Sequence, residues 1–241
     1  TAEATARARR NVERIRDSPK FGEGVILGAI ADLLFRQGDR SSEHVFVEVA
    51  GGESEQGRVH LIDWAEHSFD IDGITSSVFL PGTPHFEKER VGEQHFLDAT
   101  AEAGATTGAP PVAMITDYRC HLPAGQGELG TDFPPLVAAG LDRLAHMSLE
   151  AIEEEFGFAP TFASPGANET ERHARILRSR ARDLLFLGFE GALARARLAG
   201  PSEYPEHTGY RQTRADGTVG SVLTHYPIRP PCCGYERCEA G

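Results

Sequence analysis

The chain lacks an apolar segment long enough to cross a membrane. Its apolar runs, such as those at 25–27 and 184–189, fall far short of the ~18–20 residues that a span requires. The first residues, TAEATARARRNVERIRDS, also contain no apolar stretch of the kind found in secretory signals. These two absences predict a cytoplasmic protein with no membrane partner.

Lysine is nearly absent, with 2 lysines beside 22 arginines. This bias is typical of GC-rich coding DNA, so composition alone does not make any arginine a phosphate ligand. Acidic residues outnumber basic ones, giving a formal net charge of -12 and an isoelectric point near 5.3. Such a chain has no broad electrostatic attraction to nucleic acid. We expect small molecules or other proteins as partners, and no nucleic acid.

Three common catalytic and nucleotide-binding motifs are also missing. The sequence contains no GxGxxG after a strand, no GxxxxGK[ST] and no GxSxG. A standard nucleotide loop and the usual serine-hydrolase turn therefore receive little support. A catalytic triad built from distant serine and aspartate residues cannot be identified at this stage, because its members meet in space rather than along the chain.

What the sequence does contain is the composition of an ordinary globular protein. Its 241 residues are 40% hydrophobic and 25% charged, which is enough apolar material for a substantial core. No repeat or clear linker divides the chain, so we expect one domain spanning 1–241. Within it, 1–19 is predicted to be a charged helix or arm and 201–241 a turn-rich tail.

Hydrophobic residues recur at helical spacing in several segments. The predicted helices are 22–38, 136–157 with a break near Ser148, and 169–200, with further helical patterns at 4–17 and 85–105. Other segments are rich in β-formers or bounded by turn residues. The predicted strands are 44–52 and 58–66, paired as a hairpin, then 74–82, the buried run PPVAMITDY at 110–118, and 218–226. The predicted fold class is α/β, or α+β, with a mixed sheet of about five or six strands flanked by helices.

The first candidate site is TDYRCHLP, at the end of the predicted buried strand. Loops beyond the carboxyl ends of such strands line ligand crevices in α/β proteins. Asp117, Arg119, Cys120 and His121 are therefore predicted to be catalytic. We expect Cys120 or His121 to help hold zinc or another divalent ion that activates water, Asp117 to act as a base or orient a ligand, and Arg119 to anchor a substrate carboxylate.

The second candidate is the tail PPCCGYERC, which holds three of the four cysteines. In a reducing cytosol such cysteines are more readily thiols or metal ligands than disulfides. Their spacing differs from a zinc knuckle, so a complete site needs donors from elsewhere. If the tail folds back, the candidate metal ligands are Cys120, His121, His225, Cys232, Cys233 and Cys238. Alternatives for the cysteines are a redox or disulfide role, or none.

Together these candidates predict a cytoplasmic enzyme that acts on a small polar substrate by metal-assisted hydrolysis or lyase chemistry. Two alternatives remain open. In one, Cys120 is the nucleophile of a hydrolase or transferase and His121 or His225 is its base. In the other, the chain is a non-enzymatic binding or assembly subunit, with a structural zinc or iron-sulfur cluster on its cysteines. A homo-oligomer or a protein partner is possible in each case.

Three further groups are weaker candidates. Histidines and aspartates in 60–70 would share one face of a helix, but the strand predicted at 58–66 separates them. The histidines in 85–95 lie on different faces of a helix. An arginine stripe on the helix at 169–200 lies beside glutamates and is interpreted as a solvated, partly paired face. The residues are His60, Asp63, His67 and Asp70; His85, Glu87 and His95; and Arg172, Arg175, Arg178 and Arg182.

Overall fold

The structure is a computed structural model, and its described part is mostly helical. It describes residues 15, 18–35, 37–38, 40–48, 57–62, 75–87, 116–156, 167–199, 211–213, 219–221, 228 and 231. The α-helices are α1 (Pro19–Leu34), α2 (Pro135–His146), α3 (Leu149–Phe156) and α4 (Ala167–Ala199), and short 3-10 helices cover Ser42–His44 and Tyr118–His121. The strands are β1 (Val45–Val47), β2 (Val59–Leu61), β3 (Arg211–Thr213) and β4 (Val219–Ser221).

The predicted mixed sheet is wrong for the part of the chain that the structure describes. There, β1 pairs only with β2 and β3 only with β4, both antiparallel. The hairpin predicted from 44–52 and 58–66 is confirmed, because Phe46 lies opposite His60 in the β1–β2 register. The strand predicted at 218–226 is described only over β4.

The strand predicted at 74–82 is also wrong. Residues 75–83 are buried turns, and a single parallel bridge joins Ser77 to Arg40. Side chains replace a partner strand here: Thr83 Oγ1 accepts from Ser77 N at 3.2 Å, and Ser77 Oγ accepts from Phe79 N at 3.1 Å. A hydroxyl-rich segment can satisfy its own backbone in this way, so its β-forming composition does not require a sheet.

Helix α1 confirms the first predicted helix, beginning three residues earlier. Pro19 occupies the first turn, where its missing N–H is no loss. Val25, Ala29 and Leu33 lie four residues apart on one face and are at most 1% exposed, so this stripe faces the core.

The other long helices pack together around the same core. The break predicted near Ser148 is confirmed: α2 ends at His146, and Ser148 Oγ accepts from Ala151 N at 3.2 Å as α3 begins. Helix α4 packs against α1, α2 and α3. Its buried side chains Leu177 and Leu184 belong to the same hydrophobic cluster as α1. None of the described helices has the length and apolar character needed to cross a bilayer.

The arginine stripe of α4 has a structural role in part. Arg182 Nε donates to Ala145 O at 2.9 Å, and Arg178 donates to Met147 O at 3.3 Å. Both carbonyls lie at the C-terminal end of α2, where the last carbonyls of a helix lack internal partners. Arg175 instead pairs with Glu171 on the surface. Arg178 and Arg182 therefore fasten α2 to α4, while the side chain of Arg172 lies outside the described residues.

Candidate functional site

The predicted site at 117–121 lies in a segment whose described residues are helical. Thr116 is helical, Asp117 is an N-cap, and Tyr118–His121 is a 3-10 helix packed against α1. Residues 110–115 of the predicted strand lie outside the described residues. The described part of this segment is therefore helical rather than extended, and the strand predicted before Asp117 stays a prediction over 110–115.

Asp117 and Arg119 form a closed ion pair. Arg119 Nε donates to Asp117 Oδ1 at 2.9 Å and its terminal nitrogen to Oδ2 at 2.8 Å. The same carboxylate accepts from Arg119 N at 3.1 Å, and the two side chains are 3% and 9% exposed. A substrate carboxylate would have to compete with this bidentate contact for Arg119. The role of Asp117 as a base and the role of Arg119 as a substrate anchor stay predictions. Both roles require this ion pair to separate.

Tyr118 fastens the same segment to α4. Its hydroxyl donates to Glu190 Oε1 at 2.8 Å, and the amides of Leu129 and Gly130 donate to the same carboxylate at 2.7 and 2.8 Å. Burial, reinforced by the charge of Glu190, raises the pKa of the Tyr118 hydroxyl far above its usual range. Tyr118 therefore remains a hydrogen-bond donor at neutral pH.

A glycine kink sets the position of that carboxylate. Gly188 interrupts α4 with φ 72° and ψ 175°, a conformation that residues with a Cβ rarely adopt. The next amide, Phe189 N, donates to Gly130 O at 2.7 Å. A Cβ at Gly188 would come within 2.9 Å of the carbonyl carbon of Gly130. The close approach of these two backbones brings Glu190 to the loop.

Cys120 is disulfide-bonded. It is the only cysteine among the described residues. A sulfur in a disulfide is not a thiolate and cannot act as a nucleophile or metal ligand. The predicted roles of Cys120 as nucleophile or zinc ligand therefore apply only to a reduced form.

The remaining predicted ligands are not gathered around His121. The His121 ring packs edge-on against Phe21 with centroids 5.3 Å apart, and it lies against Gly22 of α1. The other ligands, His225, Cys232, Cys233 and Cys238, lie outside the described residues. Within the described ranges no group of three or more potential ligands is close enough to hold a metal. The zinc and iron-sulfur hypotheses stay predictions.

The weaker histidine group at 60–70 is described only in part. His60 lies in β2, 3.5 Å from Glu48, while Asp63, His67 and Asp70 lie outside the described residues. Of the other group, His85 and Glu87 are described and His95 is not.

A buried ionic cluster lies between α1 and the 75–83 turns. Arg40 Nε lies 3.3 and 3.2 Å from the two Asp32 oxygens, and both side chains are fully buried. Ser77 Oγ donates to Asp32 Oδ2 at 2.6 Å, and Arg40 also donates to the carbonyl of Ile62. Burial raises the pKa of the Asp32 carboxyl, opposed by Arg40 and Ser77. The cluster joins α1 to the turns and to the chain after β2.

Main-chain hydrogen bonds extend this connection to Ser76. Ser76 N donates to Gln37 O at 2.9 Å, Arg40 N donates to Ser76 O at 3.1 Å, and Val78 N donates to Arg40 O at 2.9 Å. Both main-chain polar groups of Ser76 are therefore occupied, and its backbone is held against the segment after α1.

The side chain of Ser76 meets an imidazole. Ser76 Oγ lies 2.9 Å from His85 Nδ1 and accepts from His85 N at 2.9 Å. When Nδ1 of His85 carries no proton, the Ser76 hydroxyl is placed to donate its hydrogen to that nitrogen. A hydroxyl bonded to an unprotonated imidazole nitrogen is the arrangement of a nucleophile and its general base. Ser76 is 4% exposed and His85 is half-buried.

Sequence reasoning missed this pair because neither residue belongs to a recognised motif. The sequence groups His85 only with Glu87 and His95, as possible metal ligands. One signal was available in PGTPH: a Pro-Gly turn followed by Pro84, a residue favoured at the start of a helix. That turn reverses the chain and brings His85 back to Ser76, with helical residues at 84–87.

Comparisons with protein-family models, with curated proteins and with solved structures found no match for this chain.

Proposed function

We propose that the chain is a hydrolase for a small polar substrate, with Ser76 as the nucleophile and His85 as its general base. The observation that carries this proposal is the 2.9 Å contact between Ser76 Oγ and His85 Nδ1. The distance lies within the 2.6–3.2 Å range expected of a nucleophile and its base. The proposed reaction is a hydrolysis, as the sequence predicted. The proposed catalytic residues are Ser76 and His85 instead of those at 117–121.

The chemistry is acyl transfer to the serine and then to water. Ser76 Oγ attacks the carbonyl carbon of an ester or amide while its proton passes to His85 Nδ1. The bond to the leaving group breaks, and the leaving group takes that proton from the imidazolium. Water then attacks the acyl-serine, again with His85 accepting a proton, and the acid is released as Ser76 recovers its hydrogen.

The packing around Ser76 supports this role. The backbone of Ser76 is held on both sides, through Gln37 O and Arg40 N. Arg40 is itself fixed by the buried Asp32 carboxylate. A nucleophile held on a rigid backbone loses little freedom when it reacts, and such positioning is a large part of enzymatic rate enhancement.

The acidic composition supports the choice of a small molecule over nucleic acid as substrate. The cytoplasmic location predicted from the sequence belongs to the same proposal. The carbonyl class of the substrate follows from the nucleophile, because a serine hydroxyl with a single imidazole base suits acyl groups.

An activated ester tests the proposal without knowledge of the natural substrate. With p-nitrophenyl acetate we expect a burst of p-nitrophenolate that approaches the protein concentration, followed by slower turnover, because the acyl-serine accumulates. Ser76→Ala removes the burst. His85→Gln retains a hydrogen-bond acceptor but not a base, and it lowers the acylation rate roughly 10²–10⁴-fold.

The matched control is Ser148→Ala, which removes an exposed hydroxyl at the start of α3 and leaves the burst unchanged. Circular dichroism and thermal melting of each variant separate loss of chemistry from loss of fold. A folded Ser76→Ala protein that retains the burst would refute the proposal.

A further inference from the structure

Thr83 lies between the two proposed catalytic residues along the chain and is bonded back toward the first of them. Its Oγ1 accepts from Ser77 N at 3.2 Å, and the acceptors for its hydrogen are Ser77 O at 2.9 Å and Leu80 O at 2.8 Å. Only 2% of the residue is exposed, so these hydrogen bonds form away from the competition of water. The hydroxyl therefore holds Thr83 against the residue that follows Ser76.

The main chain of Thr83 connects the same place to His85. Thr83 O accepts from Glu87 N at 3.0 Å. Residues 84–87 are helical, so this bond joins Thr83 to the turn of helix that carries the imidazole. One residue is thus bonded to both of the segments that contribute to the pair of Ser76 and His85.

The Thr83 contact lies inside the contact between Ser76 and His85. The outer pair is nine positions apart along the chain, and the inner pair of Ser77 and Thr83 is six positions apart. Bringing the two ends of a flexible segment together costs chain entropy, and the inner contact has already closed most of this segment. When it is formed, only the two residues after Thr83 and the one before Ser77 have to be aligned for the imidazole to reach the hydroxyl.

We propose that Thr83 is a positioning residue, whose hydroxyl fixes His85 at the distance from Ser76 that proton transfer requires. The inference rests on the proposed hydrolase function and deepens it, because it names the residue that holds the base in place. Thr83 acts through the main chain of the turn and does not itself react. A catalytic group that is displaced by about 1 Å loses much of its effect, so the rate depends on a hydroxyl that takes no part in the chemistry.

Glu87 supports the turn on its other side. Its side chain is buried, and Glu87 Oε1 accepts from Gly82 N at 3.2 Å. Gly82 has a φ of 77°, a conformation that residues with a Cβ rarely adopt. The contacts of Glu87 and Thr83 fall on adjacent residues of the turn. The carboxylate therefore assists in holding the turn, while the hydroxyl makes the direct bond to Ser77.

A pair of matched substitutions tests the role of the hydroxyl. Thr83→Val keeps the branched shape of the side chain but removes the oxygen that accepts from Ser77 N. We expect the rate constant of the p-nitrophenolate burst to fall roughly 10–100-fold, an effect of the size expected for a displaced base. The ester concentration that gives half the maximal rate should not change, because the hydroxyl is bonded within the turn. Thr83→Ser restores the hydroxyl and should retain the wild-type rate.

Thr75→Val is the control for the same chemical change in the same segment. The Thr75 hydroxyl is buried and has no hydrogen-bond partner among the described residues, so its loss should leave the burst rate unchanged. Circular dichroism checks that each variant is folded. If Thr83→Val does not fold, Thr83→Ala and Thr83→Ser make the same comparison, because they differ only in the hydroxyl.

Nitrogen NMR of the histidine rings gives a readout that does not depend on turnover. At a pH where the ring is neutral, the Nδ1 resonance of His85 reports whether a hydroxyl donates to it, and His85→Gln identifies that resonance. Ser76→Ala supplies the reference for a ring without the donor. We expect Thr83→Val to shift the resonance toward that reference and Thr83→Ser to keep it at the wild-type position.

The two proposals fail in different ways. A folded Thr83→Val protein with the wild-type burst rate would overturn the positioning role and leave the hydrolase proposal intact. A slower burst with an unchanged Nδ1 resonance would also contradict the positioning role, because the base would still be in place. A wild type without a burst, or a folded Ser76→Ala protein that retains it, would refute the hydrolase proposal and with it the positioning role.

Discussion

The 3-10 helix at 118–121 and the turns at 75–85 both contain several polar side chains, but these side chains have different kinds of hydrogen-bond partner in the two regions. Beside the 3-10 helix, Asp117 and Arg119 are two residues apart and neutralise each other in a bidentate pair. In the turns, a serine hydroxyl lies against an imidazole nitrogen contributed by a segment nine residues away. Opposite charges that are close in sequence can pair with each other locally, whereas the contact between Ser76 and His85 forms only when the chain folds back.

The same contrast holds between two adjacent serines. Ser77 Oγ donates to the buried Asp32 carboxylate, which is already engaged by Arg40. Ser76 Oγ faces His85 instead. We assign the reactive role to Ser76 because an imidazole can accept a proton and release it again near neutral pH. Ser77 has the structural role of holding the ionic cluster together.

The largest expected effect comes from breaking the cluster beneath Ser76. Asp32→Asn leaves the fully buried Arg40 guanidinium without its carboxylate, and we expect a loss of about 3–5 kcal/mol in the free energy of unfolding. Urea denaturation measures this change. The double variant Asp32→Leu with Arg40→Met should recover most of the loss, because it leaves no unpaired charge. If Asp32→Asn were as stable as the wild type, the ion pair between Asp32 and Arg40 would contribute little to the free energy of unfolding.

The corresponding change at the 3-10 helix should have a smaller effect. Asp117→Asn removes the carboxylate charge that faces Arg119, but the arginine lies nearer the surface than Arg40 does, so we expect a loss of about 2–3 kcal/mol. The p-nitrophenolate burst of the folded protein should not change. If Asp117→Asn lost the burst while its fold stayed intact, the catalytic residues would lie at 117–121 and not in the turns at 75–85.

Removal of one hydrogen bond from Glu190 should have a modest effect. Tyr118→Phe removes the phenolic donor, while the amides of Leu129 and Gly130 still satisfy the carboxylate. We expect a loss of about 1 kcal/mol in urea denaturation. A loss several times larger would mean that the tyrosine, rather than the two amides, holds the loop to α4.

The smallest expected effect is at Thr75. Its hydroxyl is buried and has no hydrogen-bond partner among the described residues, so Thr75→Val removes a polar group that is unsatisfied there while keeping the shape of the side chain. We expect a change of no more than about 0.5 kcal/mol, or a slight gain in stability. A clear loss of stability would show that the hydroxyl binds a group that the described contacts do not include.

The helices could be predicted from the sequence because their signals are local. The apolar stripe of α1, the break at Ser148 and the length of α4 follow from spacing and capping over a few residues. The sheet could not be predicted in the same way. The β-rich run at 74–82 became buried turns because Ser77 and Thr83 satisfy its backbone, and those contacts depend on the folded chain.

The candidate site was predictable only as a set of residue types. A cluster such as Asp117 to His121 is visible in the sequence, but the closed ion pair and the Cys120 disulfide are consequences of geometry. The pairing of Ser76 with His85 depends on the turn at 80–84 and on the contacts that hold Ser76 beside Arg40. None of these can be inferred from residue spacing without the fold.

The most direct test of the central claim is labelling with a fluorophosphonate, which reacts with activated serines. The serine oxygen forms a bond to phosphorus as fluoride leaves. We predict a single phosphonylated residue, mapped by peptide fragmentation to Ser76 and not to its neighbour Ser77, with labelling lost in His85→Gln. Absence of label on Ser76 in the folded protein, or equal label on Ser77, would contradict the account.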